Sequence, residues 1–262
     1  ERRRPRRLSR DDLRRVRAVP GRQMVAEPRR GGRVGTLDRH NRLRTEVERT
    51  VHVRLELDRQ RNRRELYRVR IHRIARNGRT PIQTLDQYGV WNNGGIAAHC
   101  VWVTEEDMAL MAQRDITAVH NPVSNLKLGS GIARVPELLK AGVNVALGTD
   151  GVSSNNNLDL FEEIKLAALL HKGVNCDPMA VTAHQALAMA TVNGAKAQGR
   201  PDTGVLAVGK KADLIALDLE KPHLVPDLDT TALLTYSAQG SDVVMTMVDG
   251  KILYENGEFK TL

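Results

Sequence analysis

Lysine is missing from the first 80 residues, although arginine occurs there 27 times. With ten acidic residues this stretch carries a net +17, while the other 182 residues, holding 3 Arg, 10 Lys and 21 Asp plus Glu, carry −8. The chain's net charge of +9 therefore belongs to its first third, and the remainder reads as a mildly acidic domain. Cysteine is also scarce. Cys100 and Cys176 stand far apart without CxxC spacing, which argues against a disulfide framework or a thiolate zinc site; both read as small buried hydrophobes. No run approaches the roughly 18 consecutive apolar residues of a membrane span, and the arginine-rich amino terminus lacks the apolar core of a secretory signal. A cytoplasmic protein without membrane partners is the expectation. At 262 residues and 41% hydrophobic, the chain can pack one large domain or two small ones.

The arginine-rich segment, residues 1–80, has little periodicity and few large apolar residues before Val51, so it buries little and is expected to be disordered or non-native. A basic arm that grips nucleic acid through phosphates is one reading. The lack of lysine, and of the aromatic or glycine spacing of RNA-binding arginine tracts, favours another: GC-rich DNA read out of frame yields arginine and loses the AT-rich lysine codons. On that reading nucleic acid is not an expected partner.

From Pro81 the texture becomes α/β. Ile96-Ala97-Ala98, Ile116 to Val119 and Val143 to Gly148 read as short strands, the last buried on both faces. Between and after them the pattern predicts helices over Glu105–Gln113, capped by Thr104, over Ile132–Ala141, stopped at Gly142, and over Leu158–His171. Two more are expected over Pro178–Ala190, opened by Asp177 and Pro178, and Val192–Gln198. Strand and helix alternating in short units indicate parallel α/β architecture. Then β-prone runs over Ala212–Asp218, Asp242–Val248 and Lys251–Tyr254, parted by Gly209, Asp249-Gly250 and Asn256-Gly257, predict a small β appendage. The expected domains are 1–80, 81–200 and 201–262.

In parallel barrels reactive side chains gather where strands end. His99, His120-Asn121-Pro122 and Thr149-Asp150-Gly151 hold that place. An Asp there suits a hard metal or carries a proton, and a His binds metal or orients water; the alternative for each is a hydrogen-bonded cap. Three motifs in order, Ala97-Ala98-His99-Cys100-Val101-Trp102, His120-Asn121-Pro122-Val123-Ser124-Asn125-Leu126-Lys127-Leu128-Gly129 and Leu147-Gly148-Thr149-Asp150-Gly151 with Ser153-Ser154-Asn155-Asn156, resemble the amidohydrolase superfamily. Within it the chain is most similar to 5-methylthioadenosine/S-adenosylhomocysteine deaminases, relatives of triazine chlorohydrolases. Gly204-Val205-Leu206, Gly209 to Leu214 and Val248 to Lys251 resemble that superfamily's small β-sandwich.

The resemblance implies a partial (β/α)8 TIM-type barrel, strands about five or six to eight, plus carboxyl-terminal strands of the sandwich. It implies one divalent metal, zinc, that supplies hydroxide to attack C6 of adenine as ammonia leaves. Asp150 matches the family's metal-binding, proton-carrying and substrate-facing aspartate, and His99 matches the sixth-strand histidine that orients the hydroxide. The family's His-x-His pair occurs nowhere in this sequence, where His40, His52 and His72 stand alone. Its fifth-strand His-x-x-Glu, counted back from Arg79-Thr80-Pro81, falls on Asn62 to Glu65, with Glu65 in place of the substrate-facing general acid and Asn62 in place of the ligand histidine. The chain is therefore expected to be a truncated relative, inactive alone, of an enzyme acting on a small purine nucleoside; guanine, cytosine or triazine substrates and homo-oligomeric assembly stay open. Elsewhere bland readings suffice: His171 and His184 as surface or packing residues, His223 without signal, Trp91 and Trp102 as packing aromatics, Met108 and Met111 as core, and Ser153–Asn157 as a substrate-facing or capping loop.

Overall fold

The computed structural model describes residues 78–261, together with the backbone of two short strands at 52–54 and 68–70. Five strands form one sheet in chain order: β1 (His52–Arg54), β2 (Arg68–Arg70), β3 (Gly95–Ala98), β4 (Ile116–His120) and β5 (Val145–Leu147). From β2 to β5 every neighbour is parallel, whereas β1 runs antiparallel to β2. The parallel pairs need long connections, and helices supply them. These are α1 (Pro81–Gln87) before β3, α2 (Glu105–Gln113) before β4, and α3 (Pro122–Lys127) and α4 (Val135–Lys140) before β5.

Local chemistry explains where these helices begin. Thr80 and Thr104 each accept from the third helical amide while Gln83 and Asp107 reach back to the cap, so α1 and α2 open on reciprocal capping boxes. The predicted helix over 132–141 is shorter than its apolar pattern, because Pro136 sits in the first turn and only Val135–Lys140 is helical. A proline has no amide to donate, so it suits that turn and disfavours an earlier start. Gly142 has φ +79°, the left-handed turn expected just beyond the helix.

Beyond β5 come α5 (Val152–Asn155), α6 (Leu160–Asn175), α7 (Ala183–Ala190) and α8 (Val192–Ala197). Helix α6 starts at the Asp159 cap, and its buried face is Glu163, Ile164, Ala167, Ala168 and His171, while Leu158 and Leu169 face solvent. Of the amphipathic stripe expected there, Leu158, Phe161, Ile164, Leu166 and Leu169, Ile164 is buried and Phe161 packs against the core, so the buried face is only partly the expected one. Small alanines let the helix approach the sheet, and two polar residues are carried inside. Asp177 caps only a turn, accepting from the Met179 amide, and α7 begins later on a Thr182–Gln185 capping box.

A four-stranded antiparallel sheet follows, ordered β6 (Leu214–Leu217), β7 (Val243–Val248), β8 (Lys251–Glu255) and β9 (Glu258–Phe259). Its hairpins turn at Asp249-Gly250 and Asn256-Gly257, all four residues having positive φ, the geometry that favours Asn, Asp and Gly. A helix, α9 (Thr230–Tyr236), interrupts the β region between β6 and β7, and the sequence pattern gave no sign of it. The core gathers Ile82, Trp91, Met111, Ile116, Val135, Leu138 and Met189 around the parallel strands. Trp102, expected to pack, is instead 58% exposed with its indole N–H donating to Ser130 O, and Cys176 is exposed at the left-handed end of α6.

Candidate functional site

The ends of β3, β4 and β5 bring three of the sequence candidates to one edge of the sheet. His99 follows β3 directly, His120 closes β4, and Asp150 lies just past β5. His99 and Cys100 have φ of 70° and 48°, and Asp150 has φ 59°. Left-handed backbone is uncommon for His and Cys, costs on the order of 1–3 kcal/mol, and concentrates at functional positions. The strain here falls on the two residues that the motif comparison singled out.

Asp150 is the hub. Its Oδ2 accepts from Ser124 Oγ at 2.8 Å and from Ser154 Oγ at 2.7 Å, and His99 Nε2 stands 3.7 Å from the same oxygen. On its other side the His99 ring meets Asn125, Nδ1 lying 2.8 Å from Oδ1. An amide oxygen can only accept, so Nδ1 carries a proton and Nε2 faces the carboxylate. Hydrogen bonds to an ionised group are worth about 1.5–3 kcal/mol each, enough to hold the carboxylate in one orientation. Gly148 is required for this approach: a Cβ there would lie 2.8 Å from Asn121 Nδ2, which donates to Gly148 O.

Two buried groups behind the hub were not read from the sequence. Glu163, fully buried on α6, accepts from the Val123 amide at 3.2 Å and from Asn155 Nδ2 at 2.6 Å. Burial pushes its carboxyl up to about 7, against the pull of those two hydrogen bonds. His120 lies 3.2 Å, Nε2 to Nε2, from His171, which is buried and so takes the packing alternative of its two expected readings. His120 therefore belongs to a core pair. Burial first, then repulsion from His171 and His99, holds its pKa down at about 3, and burial holds His171 at about 4. The signal for Glu163 and His171 was a polar residue on an otherwise apolar helix face, the two lying eight residues apart on α6.

The sign of the acid response follows from these shifts. Both imidazoles fold neutral, so their contribution is fully present above about pH 6.5 and is lost as the unfolded chain takes up protons that the folded one refuses. By pH 5 this amounts to ~2 kcal/mol per imidazole. Glu163 works oppositely: its raised pKa stabilises the fold as pH falls through about 7 and returns part of the loss. With the Glu163 return counted, the net loss between pH 7 and pH 5 is about 2 kcal/mol, and the melting temperature is expected to drop by about 5 °C. His171→Leu should remove most of that dependence in a thermal scan at the two pH values, because the remaining imidazole and Glu163 nearly offset each other; an unchanged dependence would refute the assignment.

Other candidates fall away. Burial pushes the Cys100 thiol up to about 12, which makes it inert as a nucleophile. His184 is exposed, and His223 pairs with buried Asp242 at 3.0 Å, a contact the sequence did not signal. Ser153–Asn157 divides, Ser154 and Asn155 joining the site while Asp159 caps α6. Glu65, Asn62, His40, His52 and His72 have no described side chains, and the arginine-rich segment, including its reading as a nucleic-acid-binding arm, falls outside the described residues apart from the two strands. Among the described residues no group of three His, Cys, Asp or Glu side chains could hold a metal ion. The donor set around Asp150 is two hydroxyls and one imidazole, which does not fit a zinc site by itself. No described helix is long and apolar enough to cross a membrane.

The sequence profile of the Amidohydrolase family matches residues 48–253, beginning inside the arginine-rich stretch. A 5'-deoxyadenosine deaminase of Methanosarcina acetivorans is 55% identical over 181 residues, covering 69% of this chain and 42% of that protein. A 5-methylthioadenosine/S-adenosylhomocysteine deaminase of Moorella thermoacetica is 53% identical over 189 residues, covering 72% of this chain and 44% of that protein. Among solved structures, an adenosine deaminase from Xanthomonas campestris with bound zinc superposes with a TM-score of 0.69 at 39% identity, over 72% of this chain and 43% of that one. The chain thus spans less than half the length of the relatives it matches.

Proposed function

The chain belongs to the amidohydrolase family, and on that footing we propose that it carries the carboxyl-terminal part of a hydrolase that removes the exocyclic amine of a purine nucleoside. The single observation that supports this best is the Asp150 hub: a carboxylate on left-handed backbone, held by Ser124 and Ser154, facing an imidazole whose far nitrogen is anchored by Asn125. That is a fixed proton acceptor beside a fixed imidazole at the edge of parallel strands, suited to moving a proton during hydrolysis. We read the parallel strands β2 to β5 as strands about five or six to eight of a (β/α)8 barrel, with antiparallel β1 outside that set, and the antiparallel sheet as carboxyl-terminal strands of a small β-sandwich. The domain divisions 1–80, 81–200 and 201–262 go with that reading.

Asp150 is assigned as metal ligand and proton carrier of the intact enzyme, His99 as the group that orients the attacking oxygen, and Glu65 as a substrate-facing acid. Zinc in such an enzyme supplies hydroxide at neutral pH. Because the described donors do not complete a zinc site, this chain is assigned no turnover of its own. The preferred substrates are 5-methylthioadenosine, S-adenosylhomocysteine and 5'-deoxyadenosine, the compounds named for its relatives.

The reading is tested by fusing the amino-terminal half of the Moorella thermoacetica relative to residues 81–262 and measuring ammonia release. Zinc-dependent turnover of 5-methylthioadenosine is the expected result. A folded, zinc-loaded fusion that spares every one of the three nucleosides would sink it.

A further inference from the structure

Ser124, Asn125 and Ser154, the three side chains that orient Asp150 and His99, sit on two very short helices, and neither helix caps itself. Asn121, at the cap position of α3, makes no side-chain cap: its Nδ2 donates to Gly148 O, and its Oδ1, the atom a cap would use, accepts from none of the first-turn amides. Gly151, at the cap position of α5, has no side chain to offer. Isolated segments of six and four residues do not hold helical geometry in water, so something outside them must.

The structure supplies one group for both. Glu163 Oε2 accepts from the Val123 amide in the first turn of α3, next to Ser124 and two residues from Asn125. Its Oε1 accepts from Asn155 Nδ2 on α5, next to Ser154, and the same Asn155 amide also donates to Thr149 O, the residue before Asp150. With both oxygens accepting, the buried carboxyl is fixed in place, because each oxygen has one donor to satisfy. Asp150 itself also takes a hydroxyl from each helix, and Lys127 on α3 donates to Ser153 O, so Glu163 is the tie supplied from α6, behind the hub.

We propose that Glu163 is a positioning residue that, through Val123 and Asn155, jointly sets the Ser124 and Ser154 hydroxyls on Asp150 and the Asn125 amide on His99. This rests on Asp150 and His99 being the reacting pair, but it concerns how their orientation is enforced. The hydrogen bonds of Glu163 go to Val123 and Asn155. Its effect passes through two backbone segments that must move together, so a loss at Glu163 should loosen both at once.

The test reads orientation rather than turnover and uses the chain as it is. In 15N-histidine NMR spectra the wild-type His99 ring is expected as the Nδ1–H tautomer, held by Asn125. In Glu163→Leu the ratio of Nδ1–H to Nε2–H should fall by about fivefold to tenfold, the shift that one hydrogen bond supplies. Amide exchange over residues 123–125 and 154–156 should accelerate together by at least about tenfold, while strands β7 and β8 keep their protection. Glu163→Gln keeps the shape and one acceptor and should free one loop only. Asn155→Ala should free the 154–156 loop and leave the His99 tautomer as in wild type. A purely packing role predicts no tautomer change in either Glu163 variant. A folded Glu163→Leu protein with wild-type tautomer and wild-type exchange in both loops overturns the proposal, as does a wild-type ring found as Nε2–H. Should Glu163→Leu fail to fold, wild-type behaviour of Glu163→Gln and Asn155→Ala together overturns it instead. An inactive fusion enzyme would count against the deaminase reading and leave this result standing.

Discussion

Purified in the presence of zinc and freed of excess metal, the chain is expected to retain well under one zinc per polypeptide and to release no ammonia from 5-methylthioadenosine or 5'-deoxyadenosine above the buffer rate. A catalytic zinc takes about three protein ligands and keeps one open position. The sequence has no His-x-His, and its upstream histidines at 40, 52 and 72 are isolated. Asp150 already shares its Oδ2 between two serine hydroxyls, and no cluster of three ligating side chains exists among the described residues. One carboxylate, even joined by one imidazole, competes poorly with water and buffer for the ion. The contrast with the fusion enzyme makes the effect large: there, Asp150→Asn should lower kcat/KM by about a thousandfold or more, on the scale of losing a metal ligand or a principal acid–base group. Stoichiometric zinc by elemental analysis of the unfused chain would defeat the first half, and an active Asp150→Asn fusion the second.

Trp91→Ala is expected to cost about 3–5 kcal/mol of folding free energy, the range for removing a fully buried large aromatic. Trp91 is 0% exposed, lies in the main core with Ile82, and donates its indole N–H to Ile82 O at 3.1 Å. The substitution leaves both a cavity and a carbonyl without its partner, and an orphaned buried acceptor adds about 1–3 kcal/mol unless water reaches it. Since domains are stable by about 5–15 kcal/mol, a large part of the margin goes. Trp91→Phe keeps most of the volume and should cost less. Urea denaturation decides it: an Ala variant within about 1 kcal/mol of wild type would show that this region does not fold as one core with the sheet.

Particular residues show which parts were legible. Helix α2 matches its predicted bounds because Thr104 and Asp107 form a capping box within four residues of sequence. The two hairpin turns were readable because Asp-Gly and Asn-Gly are chemically suited to paired positive φ. Helix α6 was placed and its stripe partly read: Ile164 is buried as expected and Phe161 packs on the core, but Leu169 is exposed and burial also takes in Glu163 and His171, whose partners Val123 and His120 lie far away in sequence. The late start of α7 at Thr182 had a rival in Asp177-Pro178, an equally good local opening, and only packing against α6 and α9 chose between them.

Family membership, the strand–helix rhythm and the two candidate reacting residues, His99 and Asp150, come from local order along the chain, where motif, cap and turn chemistry act over a few neighbouring residues. What needed three dimensions was the network that holds those two residues: Ser124, Ser154 and Asn125 around them, Glu163 beneath, and the diversion of His120 into a pair with His171. Most of those contacts join residues 26 to 51 positions apart, and a hydrogen bond depends on separation in space, to which separation in sequence is no guide until the chain has packed.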